Sequence, residues 1–194
     1  MGLCNLDAAI EKLQNDFSQL DFTYHDVQVG SQKEKIYKWP GPADEDILIC
    51  VHKSNGEQEL FHRHDFFYFN YTYKGQYESL SYKYDHKITI QENELYAGQP
   101  YAGHALCVHD NQETIIFGVL VKRETFFRSF LPLLSTNSEL FHFFIDPVTK
   151  HFSEEFIHFK VEHNCTVRML LEMMVIEYAF KKADTQQIVN YSDL

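Results

Sequence analysis

The sequence predicts a mainly β fold, an antiparallel sandwich or small barrel that carries an N-terminal arm helix and C-terminal helices. Three observations lead there. Seventeen Phe and twelve Tyr against a single Trp in 194 residues suit pleated, half-buried surfaces, where aromatic rings pack across neighbouring strands. Between Asp46 and Lys122, short apolar runs alternate with turn residues at even spacing, and no helical period interrupts them. Helical stripes occur only outside that stretch. The chain is long enough for one substantial core with a helical appendage. The expected divisions are 1–45 for the helix and arm, 46–122 for the barrel, and 123–194 for a helical, dimerising segment with one added strand.

Leu6, Ile10, Leu13, Phe17 and Leu20 recur at steps of four and three, which predicts an amphipathic helix over Leu6–Leu20 with Asn5 as its cap. Trp39-Pro40-Gly41-Pro42 breaks any regular pattern and leads into the core, leaving Tyr24–Trp39 as an arm. Strands are expected at Ile47–Val51, Leu60–Lys74, Tyr77–Tyr84, Lys87–Ile90, Leu95–Tyr96, Ala105–Val108 and Thr114–Val121. After Lys122, Phe126, Phe130, Leu133 and Leu134 share a helical face that Pro132 should limit. A strand at Phe156–Val161 and a long helix at Thr166–Lys182, capped by Asn164 or Thr166, complete the series. That last helix is apolar over most of its circumference, so it needs cover on two sides. The second cover is either a partner subunit, through Leu170, Leu171, Met173, Met174 and Tyr178, or the rest of the same chain.

A formal net charge of −11 without any Lys/Arg block argues against sequence-independent DNA binding by these residues, because that affinity comes from cations displacing counterions. Cys4, Cys50, Cys107 and Cys165 lie too far apart for zinc knuckles or redox pairs. No signal-peptide or membrane-spanning stretch is present, so a cytoplasmic location without membrane contact is expected. No Gly-rich phosphate loop or Ser/His/Asp order occurs in a supporting context. His142, His151, His158 and His163 share no spacing and read as scattered side chains.

The densest constellation runs from Phe61 to Gly75. Alternate side chains of a strand share a face, so His62, His64, Phe66, Tyr68, Asn70 and Thr72 point one way, and Phe67, Phe69, Tyr71 and Tyr73 the other. If the strand closes a barrel, the first set lines a pocket. Two His at i and i+2 ligate one metal ion if others converge, and His104 is the best outside candidate. Otherwise these imidazoles hydrogen-bond within the barrel or contact a polar ligand.

His62-x-His64, Gly75 and Pro100-Tyr101-Ala102-Gly103-His104 resemble the two motifs of the cupins, with Tyr68 standing where that pattern has Glu. Loss of that carboxylate removes the hard ligand a catalytic iron or manganese would use. More widely, His62-Arg63-His64-Asp65-Phe66-Phe67, Tyr71-Thr72-Tyr73-Lys74-Gly75 and the stretch from Ile115 to Ser135 resemble the N-terminal domains of AraC-type transcription regulators of the Firmicutes group. The resemblance covers roughly Ile47 to Lys182 and implies a cupin-like jelly-roll, or double-stranded β-helix, that senses a small-molecule effector and forms a homodimer. It also implies contact with DNA only through a C-terminal helix-turn-helix domain, which this chain does not include. Its ligand pocket would comprise His62, His64, Tyr68, Asn70 and His104, with Tyr82, Tyr84 or Tyr96 as walls. No cofactor is required. The alternative is a metal-dependent cupin enzyme, of dioxygenase or isomerase type, with a divalent ion on His62, His64 and His104.

Overall fold

The structure, a computed structural model, describes residues 5–54, 56–81, 86–109, 113–130, 138–145, 156–160 and 165–192. Its core strands are β3 (Ile47–Ser54), β4 (Glu57–Gln58), β5 (Arg63–His64), β6 (Phe67–Lys74), β7 (Gln76–Ser81), β8 (His86–Gln91), β9 (Glu94–Gly98), β10 (Ala105–Val108) and β11 (Thr114–Val121). A later strand, β12 (Phe156–Lys160), joins them. One antiparallel sheet runs β12-β9-β6-β11-β3 and a second runs β4-β10-β7-β8. This is the mainly β, two-sheet architecture that the spacing predicts. The hairpin from β6 to β7 turns on Gly75, whose φ of +78° suits a residue without a side chain.

Strand β11 is buried along its whole length, because β6 and β3 flank it and both of its faces are covered. Such a strand reads as a continuous apolar run, and its sequence Thr-Ile-Ile-Phe-Gly-Val-Leu-Val does. On the outer face of β6, Phe67 packs at 4.1 Å from Phe126 and 5.8 Å from Phe144. Phe126 belongs to a π-helical turn, Phe126–Phe130, that continues the short helix α2 (Arg123–Thr125). Phe144 lies on α3 (Ser138–Ile145), a helix the sequence pattern does not announce. The break predicted at Pro132 falls outside the described residues.

Two departures bear on the site. The expected run Leu60–Lys74 divides at Asp65-Phe66, where the Asp65 N–H donates to the Tyr37 carbonyl at 3.0 Å. And the arm is a β-hairpin, β1 (Tyr24–Val29) and β2 (Gln32–Tyr37), whose second strand pairs in parallel with β5 through Ile36↔Arg63 and Tyr37↔His64. Most of this hairpin is exposed, so it carries little hydrophobic alternation to reveal it.

Helix α1 (Leu6–Ser18) buries Ala9, Ile10 and Leu13, and the Asn5 side chain accepts the Asp7 N–H as the expected cap. Helix α4 (Cys165–Ala179) packs on α1 and β3. That packing corrects the proposed partner-facing set: Leu171, Met174 and Tyr178 are buried within the chain itself, while Leu170 and Met173 are exposed at 41% and 63%. Helix α5 (Thr185–Ser192) covers an edge: the Gln186 amide accepts from the N–H groups of Asp46 and Ile47 and donates to the Ile47 carbonyl. Among the described residues no helix is long and apolar enough to cross a membrane.

Candidate ligand-binding site

A cavity of about 360 Å³ lies between the two larger sheets and the N-terminal arm. One wall is the larger sheet, through Cys50 and His52 of β3, Tyr68 and Asn70 of β6, and Ile116, Gly118 and Leu120 of β11. Strand parity sets which side chains face inward, and Phe66, Tyr68 and Asn70 do so while Phe67 and Phe69 pack outward. Opposite stand His62, His64, His104, Leu106 and Glu59. Phe17, Phe22 and Tyr37 from the N-terminal helix and arm complete the lining.

The three histidines meet because the backbone pairs His62 with His104: each N–H donates to the other's carbonyl at 3.0 Å. The Tyr101 N–H donates to the His64 carbonyl at 2.7 Å and ties the loop carrying His104 to β5. The ring centroids lie 4.8 Å (His62–His64), 4.6 Å (His62–His104) and 5.1 Å (His64–His104) apart. His62 Nδ1 lies 2.7 Å from the Leu60 carbonyl, an acceptor that fixes the proton on Nδ1 and leaves a lone pair on Nε2. Nδ1 of His64 and of His104 are buried without a well-formed hydrogen bond. Burial lowers the pKa of both rings well below the usual histidine value, and their imidazole neighbours lower it further. Both are neutral at pH 7.

Aromatic rings brace this trio. Phe66 stacks on His64 at 4.6 Å, Tyr68 on His104 at 4.5 Å, and Tyr37 meets His62 edge-on at 5.2 Å. Burial, with Tyr96 as the next cause, raises the Tyr68 phenol well above its ordinary value, so it is protonated. Tyr68 also explains Gly98, its partner across the ladder: a Cβ at position 98 would sit 1.9 Å from the Tyr68 ring. A row of small groups, Asn70–Gly118–Cys50, crosses the wall in register, and a Cβ on Gly118 would reach the Cys50 sulfur at 2.6 Å. Burial pushes that thiol up to about 12, which leaves it unreactive.

Of the residues singled out from sequence, the structure gathers His62, His64, Tyr68, Asn70 and His104 around one cavity. Tyr96 stands behind Tyr68, 6.0 Å away ring to ring, and is not part of the lining. Tyr82 and Tyr84 lie outside the described residues, as do His151 and His163. His158 pairs with Glu94 at 2.8 Å, away from the cavity. Sequence reasoning missed Glu59, His52 and the arm's Tyr37. Glu59 stands three residues before the His-x-His phrase, and the pairing of its N–H with the Leu106 carbonyl turns it inward. Behind β5, Arg63 is fully buried: its Nε donates to Glu34 of the hairpin at 2.6 Å and Nη1 to the Tyr101 carbonyl at 2.6 Å.

His62, His64 and His104 have ring nitrogens no more than 4.8 Å apart. A single zinc-like ion with nitrogen ligands at about 2.1 Å holds them roughly 3.4 Å apart, and never beyond about 4.2 Å. The 4.8 Å bound does not exclude that spacing, and Tyr68 contributes a neutral phenol rather than a charge-balancing carboxylate. The three nitrogens are a group that could hold a metal ion, with no carboxylate from position 68 to complete it.

The sequence matches no family model and no curated protein. Among solved structures, apo ToxT K231A from Vibrio cholerae aligns with a TM-score of 0.51 at 10% identity, covering 77% of this chain and 54% of ToxT. This chain therefore spans about half the length of that protein. ToxT with an unsaturated fatty acid bound aligns at 0.47 and 11% identity, covering 76% of this chain and 52% of that one. A cupin-2 domain protein from Shewanella frigidimarina aligns at 0.34 and 17%, covering 54% of this chain and 87% of that protein. At such identities a likeness speaks of fold. The chain shares the mainly antiparallel β fold of the matched part of ToxT.

Proposed function

We propose that the chain is the ligand-sensing and dimerising module of an AraC-type transcription regulator, acting in the cytoplasm and reaching DNA through a domain outside it. The observation that carries this reading is the composition of the cavity wall. Phe17, Phe22 and Tyr37 of the N-terminal segment form part of it, so whatever fills the cavity touches the arm as well as the barrel. Pockets that combine an apolar lining with a few oriented polar groups are the common form of small-molecule sites. A ligand preferring one position of the arm shifts the arm's population, which is all that signalling requires. The exposed face of α4, Met169, Leu170 and Met173, is the surface we assign to the dimer.

The competing reading, a metal-dependent enzyme of dioxygenase or isomerase type, rests on the same three histidines as ligands to an ion. One set of measurements separates the two. A small-molecule screen read by melting temperature should find compounds that stabilise the wild type and leave a cavity-filled variant, Cys50→Ala/Gly118→Leu, unchanged. Elemental analysis should find no stoichiometric metal. One metal per chain, lost in His104→Ala, would sink the sensor reading in favour of the enzyme.

A further inference from the structure

The chemistry of the cavity wall selects among ligand classes. Among the described residues no Lys or Arg lines it, and its single carboxylate is Glu59, whose Oε2 accepts the Leu106 N–H at 3.0 Å. An anionic ligand would therefore meet one negative charge and no fixed cation. His64 and His104 do not supply one: burial and crowding, with ring centroids 4.6–5.1 Å apart across the trio, hold both neutral and leave each a lone pair to offer. On His62 a lone pair is pre-set by the Nδ1–H bond to Leu60.

The spacing of those lone pairs is informative. Three acceptors hydrogen-bonded to one tetrahedral ammonium, each about 2.9 Å from its nitrogen, stand roughly 4.7 Å apart. The histidine nitrogens all lie within 4.8 Å of one another, a spread that admits three N–H donors from a single centre. A hydroxyl has one donor to give, so it donates to only one of the three imidazoles at a time. Around the trio stand Phe66, Tyr68 and Tyr37, whose rings already contact the imidazoles and whose π-faces favour a cation with an aromatic or otherwise apolar body.

Building on the sensor reading, we propose that the cavity takes a primary amine in its ammonium form, with the nitrogen at His62, His64 and His104, Glu59 balancing its charge, and an aromatic body against the arm. The ligand class is thus an arylalkylamine, and an organic acid of the same shape is rejected.

The test compares matched probes on the full chain by calorimetry at pH 7.5: phenethylamine, phenethyl alcohol and hydrocinnamate, then tryptamine, tryptophol and indolepropionate. Each amine is expected to bind at least tenfold tighter than its alcohol, and each acid weakest. Glu59→Gln, which keeps an acceptor for Leu106, should weaken the amines several-fold and leave the alcohols within twofold. His64→Phe should erase the amine preference, with melting curves confirming that both variants fold. Trp39, whose ring lies 5.7 Å from Phe66 on the cavity wall, gives a second readout for the phenyl series through its fluorescence. An acid or alcohol binding as tightly as its amine overturns the ammonium assignment and leaves the sensor reading standing, whereas zinc chloride binding one-to-one and excluding the amines overturns both. If neither the matched probes nor the broad screen stabilises the wild type over Cys50→Ala/Gly118→Leu, both readings fall.

Discussion

At position 68 a protonated phenol stacks on His104, and its ring lies directly on Gly98 of the neighbouring strand. The two residues are therefore one packing decision. Gly98→Ala should cost about 3 kcal/mol, the upper end for overpacking, since the clash is with a ring braced by His104. In a Tyr68→Ala background the same change should cost far less, and a double-mutant cycle by urea denaturation would show the coupling. The histidines add a pH dependence with a definite sign. Because the folded-state pKa values of His64 and His104 are lowered, the unfolded chain binds more protons once pH falls below about 6.5. Stability from this source is fully present above that pH and is lost on acidification, by up to about 1.4 kcal/mol per pH unit for each ring. Urea midpoints between pH 5 and pH 8 should fall more gently with acid in His64→Gln/His104→Gln.

Single elements differ in how plainly the sequence announces them. Strand β6 is legible because its two faces meet different surroundings, the cavity and the Phe126–Phe144 cluster, so parity alone sorts its side chains. The hairpin β1–β2 is not, since its strands are mostly exposed and only Glu34 and Ile36 are buried. What seats it is a buried ion pair, Glu34–Arg63, that no periodicity encodes. Arg63→Met should cost about 3–5 kcal/mol by stranding a buried carboxylate, and Glu34→Gln/Arg63→Met should recover much of it. Limited proteolysis around Gly30 would report whether the hairpin stays seated in each case. The site divides the same way: His62, His64 and Tyr68 follow from alternation, whereas Glu59 and Tyr37 enter through a backbone pairing and a parallel strand contact made across the fold.

At the scale of the whole molecule, α4 joins the arm helix, the barrel and the assigned dimer surface. The sequence showed that this helix is apolar nearly all round but not which residues turn inward, because the packing partners α1 and β3 are distant in sequence. Leu170→Glu/Met173→Glu should convert a dimer to a folded monomer in light scattering, while Leu171→Glu should unfold the chain instead, since Leu171 is only 8% exposed. That contrast separates a surface used between subunits from one used within them.

Gly118 sits between Asn70 and Cys50 on the cavity wall, and its missing side chain is what keeps that part of the interior open. A lineage adapting this pocket to smaller effectors has an obvious move, adding a methyl or more at position 118. The Cys50 sulfur blocks it, because the new carbon would arrive 2.6 Å away. The order of substitutions is therefore constrained: position 50 must shrink before position 118 can grow. Descendants of this protein with a narrowed pocket should carry alanine or glycine at position 50, and ancestors reconstructed along such a branch should show that change first.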